Sequence, residues 1–148
     1  MYEKILRNAP YSIYAPITQF NLGLAFQRAR KIKEAREAYQ KVLDKYPNSD
    51  VCDDALYQIA YIYMQLGLTS SSQDLSALVL ARETFEDFLL QYPQSEKAPQ
   101  ARDNLKTIGN TEAGNLMDIA KWYDWSKDYK AAVIYYNCLL YTSDAADD

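Results

Sequence analysis

Three joints recur along this 148-residue chain: Pro10-Tyr11-Ser12, Pro47-Asn48-Ser49 and Pro93-Gln94-Ser95. The stretches that lead into them, "YEKILRNAP", "YQKVLDKYP" and "FEDFLLQYP", share one pattern: an aromatic, two polar residues, two apolar residues, three variable positions and proline. Apolar side chains at i, i+3 and i+4 line one face of a helix. Proline then bars its continuation, because it has no N–H and biases its predecessor away from the α region. The serine two residues on is expected to cap the next helix, with Asp50 or Glu96 just behind it at the positive end of the helix dipole. A chain punctuated in this way folds as helices joined by short turns.

Composition agrees. Four Gly and five Pro are too few for a sheet protein full of turns, and the runs of Ala, Leu, Gln, Glu, Lys and Arg favour helix. The fold class is read as all-α.

Between the joints the pattern is equally regular. Leu22, Gly23 and Phe26 in "NLGLAF", Ile59, Ala60 and Tyr63 in "QIAYIY", and Ile119, Ala120 and Tyr123 in "DIAKWY" each precede a second small residue and an aromatic. Those are Ala35 and Tyr39, Ala81 and Phe85, and Ala132 and Tyr136. Such spacing lets two antiparallel helices approach at the small residues while aromatics fill the gaps beside them. The pattern resembles the tetratricopeptide repeat, which implies a superhelix of antiparallel helix pairs. The expected divisions are a half-repeat over 1–10 and repeats over about 11–47, 48–93 and 94–137.

Two departures from strict spacing are informative. Gly23 to Ala35 and Ala120 to Ala132 are each twelve residues, whereas Ala60 to Ala81 is twenty-one. The additional nine fall in "LGLTSSSQDLSALVL", where "TSSSQD" reads as a loop and "LSALVLARETF" as helix resuming. From Pro93 to Ala120 is fourteen residues more than from Pro47 to Ala60, close to four helical turns, so one long helix bent near Gly109 or Gly114 is expected.

Most enzymatic chemistry finds little support. The chain has no histidine, the commonest general base and metal ligand. Cys52 and Cys138 are too few for a disulfide framework and lack zinc spacing. Gly109 and Gly114 have the outer spacing of a phosphate loop, but Asn115 stands where its lysine belongs. Neither catalytic residues nor a metal or other cofactor is therefore expected. Nucleic acid is not expected either, because most of the fourteen tyrosines occupy structural positions of the repeat and no basic patch accompanies them. "RARKIKEAR", at the turn between two helices, reads as a solvated edge. No apolar run approaches the roughly 18 residues of a membrane span.

The joints, the 37-residue spacing from Pro10 to Pro47, the lengthened segment after Gly67 and the elongated helix from about Ala98 together resemble the BamD-type outer-membrane assembly lipoproteins. The resemblance covers residues 1 to about 137. It implies a periplasmic, non-enzymatic scaffold at the outer membrane, built from about five such repeats. Its partners would be the periplasmic domains of the barrel-assembly subunit and unfolded outer-membrane proteins. Membrane attachment would be through a lipid anchor only, its signal and cysteine expected upstream. Tol-Pal-type periplasmic cell-division coordinators share the joints and the 37-residue spacing but usually lack the two insertions; a generic repeat adaptor and a helical platform of a cell-wall lytic enzyme are further readings.

In stacked repeats the first helix of each pair lines the concave surface. Registering on Gly23, Ala60 and Ala120 places Ile17, Phe20, Leu24, Gln27 and Arg28 there, then Tyr57, Tyr61, Met64 and Gln65, then Met117, Lys121, Asp124 and Trp125. Of these, Phe20, Leu24, Gln27, Arg28, Tyr57, Tyr61, Met64, Lys121 and Trp125 form the candidate partner groove. An apolar, aromatic groove with basic edges suits an extended peptide ending in an aromatic residue and a carboxylate.

The last stretch, "CLLYTSDAADD", breaks the register, with Asp144 where a joint proline belongs. All eleven residues, 138–148, resemble one reading frame of a transposase adapter used in sequencing libraries, so the natural sequence is expected to end near Asn137. Without Asp144, Asp147 and Asp148 the acidic count falls from 20 to 17 against 16 basic residues, and the net charge moves from −4 to −1. The acidity therefore says nothing about partners.

Overall fold

The computed structural model describes residues 1–70 and 75–147, with side chains through residue 141. Among the described residues it holds seven helices: α1 (Tyr2–Asn8), α2 (Ala15–Arg28), α3 (Ile32–Lys45), α4 (Cys52–Thr69), α5 (Leu75–Gln91), α6 (Ala98–Trp125) and α7 (Tyr129–Asp147). The all-α reading holds. Helices α1, α3 and α5 stop two residues before Pro10, Pro47 and Pro93. Contacts divide the chain into two compact units, Met1–Ala101 and Arg102–Asp148.

The three joints share one hydrogen-bonded geometry, and it corrects the expected cap. Ser12, Ser49 and Ser95 donate their N–H to the carbonyls of Ala9, Tyr46 and Tyr92 at 3.2, 3.0 and 3.1 Å, closing a tight turn first. Each hydroxyl oxygen then accepts the N–H two residues on: Tyr14 to Ser12 Oγ at 3.2 Å, Val51 to Ser49 Oγ at 3.3 Å, Lys97 to Ser95 Oγ at 3.2 Å. The serines thus cap the turn, and the helix starts three residues later at Ala15, Cys52 and Ala98, all buried. Because of that offset Asp53 and Asp54, rather than Asp50, stand in the first turn of α4, and α6 opens without an acidic residue.

Within the first unit, α2 and α3 pack antiparallel. Gln19 Nε2 donates to the carbonyl of Ala38 at 3.0 Å, the Phe20 and Tyr39 rings lie 5.4 Å apart, and Tyr39 Oη donates to Gln27 Oε1 at 2.8 Å. Helices α4 and α5 repeat the arrangement. Near one end Tyr57 meets Phe85 and Phe88 edge-on at 5.6 and 5.8 Å; near the other Gly67 lies against Leu78. Between the pairs a shared core gathers Phe20, Ala35, Tyr39, Val42, Ala55, Ile59 and Ile62. The joints are tied as well. Tyr46 Oη donates to the carbonyl of Pro10 at 3.1 Å, and Ser95 Oγ to Asp53 Oδ2 at 2.6 Å.

Most of the additional residues of the middle repeat lengthen its helices. α4 has 18 residues and α5 has 17, against 14 in each of α2 and α3. Of the expected "TSSSQD" loop, Thr69 is still helical, Ser70 ends the helix, and residues 71–74 lie outside the described residues. The long helix expected from Ala98 is present and runs without interruption past Gly109 and Gly114.

In the second unit Ala120 and Ala132 are both buried, and the Tyr123 ring stacks on Tyr135, rather than on Tyr136, at 5.3 Å. The turn between α6 and α7 matches the one between α2 and α3. Arg30 and Lys127 both take φ near +60°, and the residues after them, Lys31 and Asp128, donate to the carbonyls of Phe26 and Tyr123 at 2.9 Å. This is a helix-terminating motif that usually carries glycine at the left-handed position.

Candidate functional site

The expected groove side chains divide by position. Phe20, Tyr57 and Met64 are buried, and Leu24 packs against the shared core. Tyr57 in particular is wedged between Phe85, Phe88 and Tyr61. The register that puts a residue on the inner face of the first helix also aims it at the second helix of its own pair, which is why large apolar side chains there are absorbed into packing. Gln27 and Tyr61 are only half-buried, and Arg28 is exposed.

Gln27 and Tyr61 come together. With Arg30, Ile32, Ile62, Gln65, Leu66 and Thr69 they line an open cavity of about 440 Å³ between the α2–α3 turn and the last turns of α4. Ile32, Ile62, Leu66 and the Tyr61 ring supply its apolar surface. Because Gln27 Oε1 already accepts the Tyr39 hydroxyl, the Gln27 amide is oriented with its Nε2 hydrogens left to donate. The Arg30 guanidinium and the Gln65 amide are further donors. Tyr39 is held in its neutral, donating form: burial pushes its phenol well above the usual range, and the nearby Arg28 charge only partly opposes this.

Lys121 and Trp125 belong to the second unit and are exposed, Trp125 by 81%. The sequence reading did not single out Ile32, Leu66 or Thr69 for the groove, and it placed Arg30 on a solvated edge. Arg30 is indeed exposed, yet it also lines the cavity. Thr69 could have been found by continuing the Tyr61, Gln65 register another turn, which the expected loop at "TSSSQD" discouraged.

Comparison with known proteins adds two findings. A family model, YfiO, described as an outer membrane lipoprotein, matches residues 2–146. The chain is also similar to the outer membrane protein assembly factor BamD of Caulobacter vibrioides, with 25% identity over 122 residues, which is 82% of this chain and 40% of that protein. It spans well under half the length of that relative. Among the described residues no helix is long and apolar enough to cross a membrane.

Proposed function

The chain belongs to the YfiO family of outer membrane lipoproteins, and from that premise we propose that it is a non-enzymatic scaffold in the assembly of outer-membrane β-barrel proteins. It acts at the periplasmic face of the outer membrane, holding an assembly subunit and unfolded barrel segments against rigid helix pairs. The reading is supported by a relative named as an outer membrane protein assembly factor. The observation that carries it is the cavity where an apolar wall of Ile32, Ile62 and Leu66 meets the donors of Gln27, Arg30 and Gln65.

An extended peptide ending in an aromatic residue matches this arrangement. Its ring packs on the apolar wall beside Tyr61, and its carboxylate takes hydrogen bonds from Arg30 and the amides. A hydrogen bond to a charged group contributes about 1.5–3 kcal/mol, so loss of the carboxylate contact weakens binding by about ten- to a hundredfold.

Fluorescence anisotropy with a labelled peptide carrying a C-terminal phenylalanine tests this. Arg30→Ala or a C-terminal amide on the peptide lowers affinity by that factor, and Tyr61→Ala, which removes a half-exposed ring, lowers it too. Equal binding by the acid and amide peptides sinks the groove assignment. Tyr57 is unsuitable as a probe because its removal would empty the contact with Phe85 and Phe88.

A further inference from the structure

The three joints have one backbone geometry but not one surface. After each proline the positions match as Tyr11, Asn48 and Gln94, and after each serine as Ile13, Asp50 and Glu96. All six are exposed. Two joints therefore present an amide and an acid to solvent, as a turn should, while the first presents an aromatic and a branched aliphatic. Tyr11 is 98% exposed, Ile13 85%, the neighbouring Tyr14 65% and Ile17 39%.

Among the described residues these side chains fill no core. Charge is missing as well. From Asn8 to Gln27 the chain has no charged residue, although it is 24% charged overall and a stretch of twenty would hold about five. Cations stand at both ends of the run, Lys4 and Arg7 before it and Arg28 after it, with Glu3 the single nearby acid in α1. Beside the apolar tip is a notch of about 570 Å³ lined by Ile13, Pro16, Tyr46 and Pro47 together with Lys45 and Asp50.

From this we infer that the first joint is a membrane-interface contact: Tyr11, Ile13 and Tyr14 insert among the headgroups of a phospholipid bilayer. Tyrosine suits the boundary between headgroups and acyl chains, where its ring is apolar and its hydroxyl remains wet. An acid at position 13, as in the other joints, would be repelled by anionic lipid; isoleucine removes that barrier, and Lys4 and Arg7 add attraction. The inference rests on membership of a lipoprotein family and adds a second contact to the lipid anchor that the resemblance implies. It does not depend on the peptide cavity. A flexible lipid anchor leaves the orientation of the folded domain free, and a second contact fixes how the scaffold meets the surface.

The test transplants the second joint into the first: Tyr11→Asn, Ile13→Asp and Tyr14→Val, residues that the same turn already accepts at positions 48, 50 and 51. The protein is floated with vesicles of mixed phosphatidylethanolamine and phosphatidylglycerol, and circular dichroism confirms the fold. The unaltered chain floats, and the triple variant loses about tenfold or more of the bound fraction. In cells, a photocrosslinker at position 13 forms lipid adducts. An unaltered chain that stays off the vesicles, a variant that floats equally, or crosslinks to a protein instead of lipid would each overturn the inference. Retention of peptide binding by the triple variant separates this surface from the cavity.

Discussion

The ring of Tyr39 lies directly over the backbone of Gly23: a Cβ built on Gly23 would stand 2.5 Å from Tyr39 Cε1. In the other complete pair Gly67 stands to Leu78 as Gly23 does to Tyr39, its added Cβ only 2.6 Å from Leu78 Cδ2 and 3.1 Å from the Leu78 backbone nitrogen. These glycines are needed for helix approach, not for backbone conformation, since none has positive φ.

The four glycines should therefore respond in opposite directions. Gly23→Ala and Gly67→Ala overpack a helix contact and should each cost about 1–3 kcal/mol. Gly109 and Gly114, where an added Cβ meets nothing within 4 Å, sit inside α6 with no steric reason to be glycine. Alanine at either should stabilise by about 0.8–1.0 kcal/mol through helix propensity alone. Urea denaturation of the four single variants reads both signs. A destabilised Gly109→Ala variant would mean that α6 needs its glycine for a reason other than helix propensity.

Much of this architecture was legible because proline and small residues act locally. Pro10, Pro47 and Pro93 each follow an apolar helical stripe and bar its continuation, so the joints could be placed from the chain alone, whereas the offset of three residues from serine to helix start could not, because the turn closes first. Less could be read where one position serves two contacts. Gly67 stands at the edge of a polar run and read as the approach to a loop, whereas the tertiary contact with Leu78 keeps it helical. Tyr57 and Tyr61 are four residues apart on one face, yet one is buried and the other lines a cavity. Periodicity assigns a face; only the neighbouring helix decides which part of that face stays open.

The two left-handed turns offer a comparison inside one molecule. Arg30 and Lys127 hold φ values of 60° and 64°, which cost an L residue roughly 1 kcal/mol that glycine avoids. Arg30→Gly and Lys127→Gly should stabilise by up to about 1 kcal/mol, an effect reduced by the greater freedom of glycine in the unfolded chain. The turns differ in their caps. Asp128 Oδ1 accepts the N–H of Ala131 at 3.2 Å, whereas α3 has no side-chain cap at Lys31. Lys31→Asp should supply one and raise the melting temperature, with a contribution of about 1 kcal/mol. No gain from Lys31→Asp would show that the two turns are not equivalent.

The eleven residues from Cys138, of which 138–147 lie within α7 (Tyr129–Asp147), are proposed to be adapter-derived. Amplifying the gene from source DNA with primers placed outside this region should give codons that diverge from "CLLYTSDAADD" after Asn137. An intact genomic copy encoding all eleven would refute the proposal.

Alkaline titration should single out Tyr39. Its phenol is fully buried, donates to Gln27 Oε1 at 2.8 Å, and is pushed well above the usual range by burial. A group whose folded pKa is raised contributes its stability in full below the unfolded pKa, here near 10, and loses it as pH rises. Above that pH the unfolded chain releases a proton that the folded chain retains. Unfolding free energy should then fall by up to about 1.4 kcal/mol per pH unit for this one group. Tyr39→Phe keeps the ring over Gly23 and deletes the ionisable hydroxyl, at a cost of about 1 kcal/mol for the lost hydrogen bond. Its stability should decline less steeply above pH 10, so that the two curves converge. Tyr92, pushed up more weakly by its own burial and then by Cys52 and Asp53, leaves a residual slope in both proteins. Parallel urea midpoints of the two proteins from neutral to strongly alkaline pH would show that Tyr39 ionises as readily in the fold as out of it.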